Sequence, residues 1–174
     1  MTVTKIKFET GFGDIIVELY PLQAPITVAN FLRYIDENRF EDAYFYRVVR
    51  MGNQPIDGIK IEVVQGGLKE DDHPQSLPTI IHERTKQTGI LHKDGTISMA
   101  RNKPETASSE FFICINDQPE LDFGGRRNPD GQGFAAFGRV IEGMDAVRKI
   151  QSQPVKGQYL VKGIKILRVS SIIV

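Results

Sequence analysis

The chain has 174 residues, 40% of them hydrophobic, so it is long enough to bury one sizeable core and is expected to form a single domain over residues 1–174. Its 22 Lys and Arg are balanced by 22 Asp and Glu, which leaves a formal net charge of zero. This balance argues against a nucleic acid or an anionic membrane surface as a partner, because both attract strongly basic proteins.

The first segments predict a β-hairpin followed by an amphipathic helix. Apolar and polar residues alternate over residues 4–8 and 15–19, on either side of a Gly-Phe-Gly turn at 11–13. Pro25 then precedes apolar residues at helical spacing, namely Val28, Phe31, Leu32 and Ile35. This pattern predicts a helix with proline in its first turn.

Residues 44–49 are typical of a strand that is covered on both faces, except for one arginine. The other residues of this segment are aromatic or β-branched. Arg47 must therefore be ion-paired, which the segment by itself favours, or it must face a cavity in which its N–H donors are used. The sequence of this strand alone leaves both alternatives open.

The next segment is an interruption followed by a strand. Residues 51–60 contain two glycines and a proline and break the strand pattern. Residues 61–67 then predict a strand that ends in a turn, with Gln65 in phase with Val63 on one of its faces.

Candidate metal ligands and nucleophiles are few. Residues 69–73 are rich in acidic groups, but no second cluster lies at ligand spacing, so a solvated loop is favoured over a metal site. His82 and His92 stand apart, and each is expected to be a structural hydrogen bonder. Cys114 is the only cysteine, which excludes an internal disulfide and favours a small buried hydrophobe at that position.

Residues 95–116 predict two strands joined by an ordered polar loop, and the second strand is the more informative. At period two, one face is a core face, formed by Ser109, Phe111, Ile113 and Ile115. Phe112 falls on the opposite, mostly polar face. It must lie under a covering loop, which this strand by itself favours, or form the floor of an apolar pocket.

The last third of the chain predicts a long glycine-rich loop at 124–133, a strand at 134–140, a short helix at 142–150 and a final strand at 162–174. Many antiparallel strands, two helices and no alternation of strand and helix indicate a sandwich or a barrel. A closed barrel capped by the two helices is the economical arrangement.

Six segments carry a family resemblance: PITVANFL at 25–32, FYRVV at 45–49, VVQGG at 63–67, ISMARN at 97–102, SSEFFICI at 108–115 and FAAFGRVIEGMD at 134–145. In this order they resemble the cyclophilin family of peptidyl-prolyl cis-trans isomerases. The resemblance covers almost the whole chain. It implies a mainly β fold, a closed eight-stranded antiparallel β-barrel capped by two α-helices, with the active site on the outside of the barrel.

The resemblance also implies a set of site residues, with Arg47 as the catalytic arginine. The substrate-binding positions that it implies are Val63, Gln65, Ala100, Arg101, Glu110, Phe112, Leu121 and Phe134. No metal and no cofactor is expected, because rotation about an X-Pro bond makes and breaks no covalent bond.

The resemblance implies proline-containing peptides and unfolded or folding protein chains as partners. We expect a monomer. No apolar run approaches the roughly 20 residues of a membrane span, and the N-terminus lacks the apolar core of a signal peptide. A cytoplasmic protein is therefore expected, although a trimmed periplasmic or secreted form would have the same sequence.

Five positions depart from the family pattern: Glu62 replaces a phenylalanine, Arg101 an asparagine, Glu110 a glutamine, Glu120 a tryptophan and Phe134 a histidine. The glutamate at position 120 predicts weak binding of cyclosporin, because it removes an indole that the drug contacts in sensitive members. The three new carboxylates together predict a negatively charged rim and a preference for basic peptides.

Two other functions compete with isomerisation. The altered rim is compatible with a non-catalytic module that binds proline peptides, although such a module has no need for a donor like Arg47. A metal hydrolase that uses residues 70–73 is the third interpretation.

Overall fold

Residues 4–173, the part of the chain that this computed structural model describes, contain nine strands and three α-helices. The strands are β1 (Thr4–Thr10), β2 (Gly13–Leu19), β3 (Tyr44–Val49), β4 (Val63–Gly67), β5 (Thr96–Met99), β6 (Phe111–Cys114), β7 (Ala135–Glu142), β8 (Val155–Lys156) and β9 (Tyr159–Ile172). The helices are α1 (Pro25–Asp36), α2 (Thr85–Thr88) and α3 (Met144–Gln151). Val174, the predicted end of the last strand, lies outside the described residues.

Eight of these strands close into an antiparallel barrel. Their order is β1-β2-β7-β5-β6-β4-β3-β9, and β9 pairs with β1 to complete the ring. The two-residue strand β8 adds only a short hairpin to β9. The predicted closed eight-stranded barrel is confirmed, and closure leaves β1 and β9 paired rather than as open sheet edges.

The barrel interior is filled by aromatic and branched side chains. Phe111 lies at its centre, with its ring centroid 5.3 Å from that of Phe8 and 5.4 Å from that of Phe31. Ile113 and Ile115 are buried on the same face of the chain as Phe111. The core face predicted for this segment is therefore confirmed.

The two predicted helices are confirmed, with one shifted boundary. Helix α3 begins at Met144 rather than at Glu142, because Glu142 still belongs to β7 and Gly143 adopts a φ of +96°. A Cβ at Gly143 would lie 2.2 Å from the main-chain oxygen of Asp14, so this turn requires glycine. Helix α2 is an addition that the sequence pattern missed, since a single turn has no apolar periodicity.

No helix within residues 4–173 has both the length and the apolar character needed to cross a bilayer.

A second, smaller apolar cluster lies on the outer surface of the barrel. It consists of Val49, Ile61, Val63, Phe112, Cys114 and Leu121, with Ala100 and Phe134 packed against it. The cluster is separate from the barrel core because alternate residues of β4 and β6 point to opposite faces of the wall. It is the apolar platform on which the candidate site is built.

We predict that Phe111→Ala lowers the free energy of unfolding by about 3 to 5 kcal/mol, because the lost ring leaves a cavity among buried aromatic residues. Urea denaturation of the variant and the wild type measures this change. Phe123→Ala is the matched control, since the side chain of Phe123 is 38% exposed, and it should cost under about 1 kcal/mol. Equal losses in the two variants would contradict the central position of Phe111.

Candidate active site

An irregularity in β3 turns Arg47 toward the outside of the barrel. The pairing of β3 with β4 shifts register between Phe45 and Arg47, so Tyr46 is an extra residue in the strand. Phe45 and Val48 point into the core, whereas Tyr46 and Arg47 both line an outer groove. Strict alternation would have placed Arg47 on the same face as Phe45, inside the barrel.

The guanidinium of Arg47 is held by two neutral amides. Nη1 donates to Oε1 of Gln65 at 2.8 Å, and Nε and Nη2 donate to Oε1 of Gln158 at 3.1 and 2.6 Å. Within residues 4–173 it has no ion-pair partner, so the ion pair that the strand favoured is wrong and the cavity alternative is right. Of its five N–H donors, these three are used, which leaves one donor on each terminal nitrogen.

Burial lowers the pKa of Arg47 below its ordinary value. Even so, arginine stays protonated throughout the neutral range. Arg47 therefore presents a full positive charge and two unused donors to the groove.

A hydrogen-bond chain continues from Gln65 to Glu110. Gln65 Nε2 donates to Tyr46 Oη at 2.9 Å, and Tyr46 Oη donates to Glu110 Oε2 at 2.5 Å. The other carboxylate oxygen accepts the main-chain N–H of Lys69 at 2.6 Å. Burial, and then the charge of Glu110, raise the pKa of Tyr46, so its hydroxyl remains a donor. The chain fixes the orientation of Gln65 and through it that of Arg47.

Phe112 forms the floor of an apolar pocket beside Arg47. Its ring meets that of Phe134 edge-on, at 5.5 Å between centroids, and stacks on His92 at 5.9 Å. His92 is bonded to Asp122 Oδ1 at 2.7 Å and to Ser98 Oγ at 2.8 Å. The prediction that His92 is a structural hydrogen bonder is confirmed, and the pocket alternative holds for Phe112.

The groove has a volume of about 640 Å³ and brings every predicted site residue together. Its lining includes Arg47, Val63, Gln65, Ala100, Arg101, Glu110, Phe112, Leu121 and Phe134. These residues come from β3, β4, β6 and the two connections that flank β6, which explains why no single stretch of sequence displays the site.

Arg101 ties the glycine-rich loop at 124–133 to the groove. Its guanidinium, 2% exposed, binds both carboxylate oxygens of Asp130 at 2.8 and 3.0 Å and the main-chain oxygen of Gly133 at 2.6 Å. It also lies 4.9 Å from the centroid of the Phe134 ring. Within the described residues, the main-chain N–H and C=O of Arg101 form no hydrogen bond, so both can pair with an extended peptide.

The expectation for Glu62 is wrong. Its carboxylate accepts from Asn116 Nδ2 at 3.2 Å and Gln151 Nε2 at 3.1 Å, away from the groove. The preceding residue, Ile61, is 5% exposed and lines the groove instead. The insertion at 51–60 lies next to Glu62, and for this reason counting residues along the family pattern placed Glu62 in the groove incorrectly.

The three glutamates predicted for the rim do not form it together. Glu110 is engaged by Tyr46 and Lys69, and Glu120 forms an ion pair with Arg126 at 3.0 Å. The side chain of Arg126 lowers the pKa of Glu120, so this pair persists in moderately acidic solution. With Glu62 outside the groove and Glu120 paired, a preference for basic peptides no longer follows from these three carboxylates.

The groove is also lined by residues that the sequence analysis did not place in the site, and four of them matter for the argument: Tyr46, Ile61, Arg127 and Gln158. Gln158 is the most consequential, since it lies 111 positions from Arg47 in the chain. It sits in the turn between β8 and β9, and its main-chain oxygen accepts the N–H of Val48 at 2.8 Å. No local signal marks this isolated glutamine, whereas the single arginine in a segment of aromatic and β-branched residues was a usable sign of a local irregularity.

The prediction for His82 is wrong. Its side chain is buried, and neither ring nitrogen forms a hydrogen bond with any residue from 4 to 173. Burial, together with the charges of Arg101 and Arg84, lowers its pKa to about 4, although Glu105 and Asp130 oppose the shift. His82 is thus held in its neutral form at physiological pH.

The acidic segment at 69–73 does not assemble a metal site in the described part of the chain, where no three His, Cys, Asp or Glu side chains are placed to hold an ion. Glu70 and Asp71 line the groove, while His73 turns to Asp42, with Nε2 and Oδ2 3.3 Å apart.

Sequence comparisons agree with this geometry. The family model described as "Cyclophilin type peptidyl-prolyl cis-trans isomerase/CLD" matches residues 5–171. A peptidyl-prolyl cis-trans isomerase of Acinetobacter baylyi is 33% identical over 87% of this chain and 73% of its own length. Peptidyl-prolyl cis-trans isomerase B of Escherichia coli is 33% identical over 84% of this chain and 83% of its own.

Solved structures show the same fold. A cyclophilin-type peptidyl-prolyl cis-trans isomerase from Cryptosporidium parvum superposes with a TM-score of 0.72 at 21% identity, covering 98% of each chain. A crystal structure of that protein obtained in the presence of the dipeptide Ala-Pro gives a TM-score of 0.68 at 22% identity, covering 95% of this chain and 96% of that one.

We predict that His82 makes the protein less stable in mild acid. In the unfolded chain its pKa is about 6.5, whereas in the folded chain it is about 4, so the unfolded state takes up the proton first. The contribution of neutral His82 to the free energy of unfolding is complete above about pH 6.5 and is lost progressively toward pH 4. It amounts to something on the order of 2 kcal/mol in all.

Urea unfolding of the wild type, His82→Leu and His73→Gln between pH 7 and 4 tests this. The fall in unfolding free energy should be smaller in His82→Leu and unchanged in His73→Gln, where the ring of the altered histidine bonds to Asp42 and Gln75. Identical pH profiles for wild type and His82→Leu would refute the prediction.

Proposed function

This chain belongs to the cyclophilin-type peptidyl-prolyl cis-trans isomerases, and from that premise we propose that it accelerates rotation about X-Pro peptide bonds in folding chains, with Arg47 as the catalytic residue. The observation that carries the proposal is the guanidinium of Arg47, which keeps unused N–H donors beside an apolar pocket.

The chemistry explains why one donor is enough. Rotation about the bond must break amide resonance at a cost of about 18 to 20 kcal/mol, and uncatalysed exchange takes tens to hundreds of seconds. In the twisted transition state the proline nitrogen becomes pyramidal and gains a lone pair. An N–H that meets this lone pair stabilises the transition state and not the planar ground state.

The surroundings of Arg47 suit this role. Gln65 and Gln158 hold the guanidinium in place without neutralising it, because both partners are uncharged amides. A carboxylate partner would compete for the donors and weaken the field at the proline nitrogen. Lowering the barrier by about 7 kcal/mol through positioning and this donor gives roughly five decades of rate.

The apolar pocket is proposed to hold the pyrrolidine ring. Its floor is Phe112, and the remaining contacts come from Val63, Leu121 and Phe134. The free main-chain groups of Arg101, next to Ala100, would pair with the peptide backbone in the manner of an added strand. Proline-containing peptides and unfolded chains are accordingly the proposed partners.

A non-catalytic binding module is the alternative that the same groove permits. An exchange measurement by NMR separates the two functions, since a pure binder shifts peptide resonances without accelerating exchange between cis and trans isomers.

We further propose that residues 1–174 act as a single-domain monomer in the cytoplasm, and light scattering tests the oligomeric state.

We predict that Arg47→Ala lowers kcat/KM by two or more decades, because removing one preorganised transition-state donor costs about 3 to 4 kcal/mol. Arg47→Lys should fail nearly as badly, since an ammonium cannot bridge the two glutamines as the planar fork does. Arg33→Ala, at a side chain that is 55% exposed, is the control and should retain full activity. If a correctly folded Arg47 variant kept the kcat/KM of the wild type, Arg47 would not be the catalytic residue.

We predict that cyclosporin binds weakly, because contact with position 120 must desolvate the Glu120–Arg126 ion pair without supplying a new donor. Glu120→Trp should increase the affinity measured by titration calorimetry, since an indole offers both apolar surface and an N–H. Glu142→Trp, at an exposed position at the end of β7, should have no effect. Tight binding to the wild-type protein would show that this contact is unimportant.

A further inference from the structure

Arg127 is a second arginine in the groove to which the isomerase chemistry assigns no role. Its side chain is half-buried and lines the same cavity as Arg47. Nη1 donates to the main-chain oxygen of Ile59 at 2.8 Å, and its main-chain N–H donates to the oxygen of Glu120 at 3.2 Å. The glycine-rich loop thus presents this guanidinium across the groove to the insertion at 51–60.

No carboxylate within residues 4–173 forms an ion pair with Arg127. The other two arginines of this region are each neutralised, Arg101 by Asp130 and Arg126 by Glu120. Arg47 and Arg127 are therefore two positive charges without an ion-pair partner in one cavity, and burial, together with the charge of Arg47, lowers the pKa of Arg127.

The carboxylates of the groove are grouped elsewhere. Glu110 is bonded to Tyr46 and to the N–H of Lys69, and Glu70 and Asp71 directly follow that lysine in the chain. Glu70, Asp71 and Glu110 all line the groove, and the charge of Asp71 adds to the effect of burial in raising the pKa of Glu110. The groove consequently has a basic side at Arg127 and an acidic side at Glu110.

The main-chain oxygen of Ile59 orients the guanidinium of Arg127 but, within the described residues, leaves its charge and its other N–H donors without a partner. A carbonyl oxygen accepts one N–H but carries no charge, and the remaining donors of the guanidinium fork match a carboxylate in geometry. A half-buried guanidinium without an anion gains more from such a ligand than an exposed one, since less water screens the pair.

We propose that Arg127 recognises a carboxylate side chain next to the substrate proline, so that the enzyme prefers acidic peptides. The inference rests on the proposed isomerase function and names the substrate class of that site. It reverses the preference for basic peptides that the sequence alone suggested, because the three glutamates on which that preference depended are engaged or lie outside the groove.

Exchange spectroscopy on short peptides tests the proposal without a coupling protease, whose own specificity would interfere. Two peptide series place Glu, Gln, Ala or Lys either directly before or directly after the proline. In wild type at low salt, kcat/KM for Glu should exceed that for Gln about fivefold in at least one series, the scale of a partly exposed ion pair. The ratio should shrink toward one in molar salt.

Arg127→Gln should bring the Glu-to-Gln ratio close to one at low salt. Arg126→Gln is the matched control, because it removes the same charge at the neighbouring position in the chain. The side chain of Arg126 is 72% exposed and bonded to Glu120. This variant should keep the wild-type ratio. An unchanged ratio in Arg127→Gln, or equal turnover of all the peptides by the wild-type enzyme, would overturn the inference. If the wild-type enzyme turned over none of the peptides, the proposed function itself would be overturned.

Discussion

A guanidinium cannot be buried in an apolar barrel without a partner, and the site depends on how strand β3 meets this constraint. The extra residue at Tyr46 reverses the alternation of the strand, so that Phe45 remains in the core while Arg47 faces the groove. The same irregularity brings the Tyr46 hydroxyl beside Gln65. One additional residue therefore preserves the core and creates the site.

The immediate surroundings of Arg47 combine rigidity with unneutralised charge. Gln158 and Gln65 restrain the guanidinium from two sides, and the bond from Gln65 to Tyr46 leads on to the buried carboxylate of Glu110. Negative charge is thus kept at the end of a hydrogen-bond chain instead of beside the arginine. Such a preorganised, uncompensated donor is what stabilisation of a developing lone pair requires.

Two long connections determine the chemistry of the groove rim. The loop at 124–133 is fixed by the ion pair between the buried side chain of Arg101 and Asp130, and it meets the insertion at 51–60 through Arg127 and Ile59. Among the charged residues that line the groove in the described part of the chain, Arg47 alone lies in a barrel strand. The substrate preference that we propose accordingly depends on the loops, whereas the proposed catalytic donor and the apolar floor belong to the strands.

The sequence by itself determined the elements whose periodicity is strong: the hairpin, helix α1, the core face of β6 with Phe112 pointing outward, and the motifs that identify the family and its nine site positions. Tertiary structure alone decided the bulge in β3, the exchange of Glu62 for Ile61 in the groove, and the pairing of Arg47 with Gln158, 111 residues away. Periodicity reports which face of an element is buried, but register shifts and contacts between distant loops depend on how all eight strands close around one core.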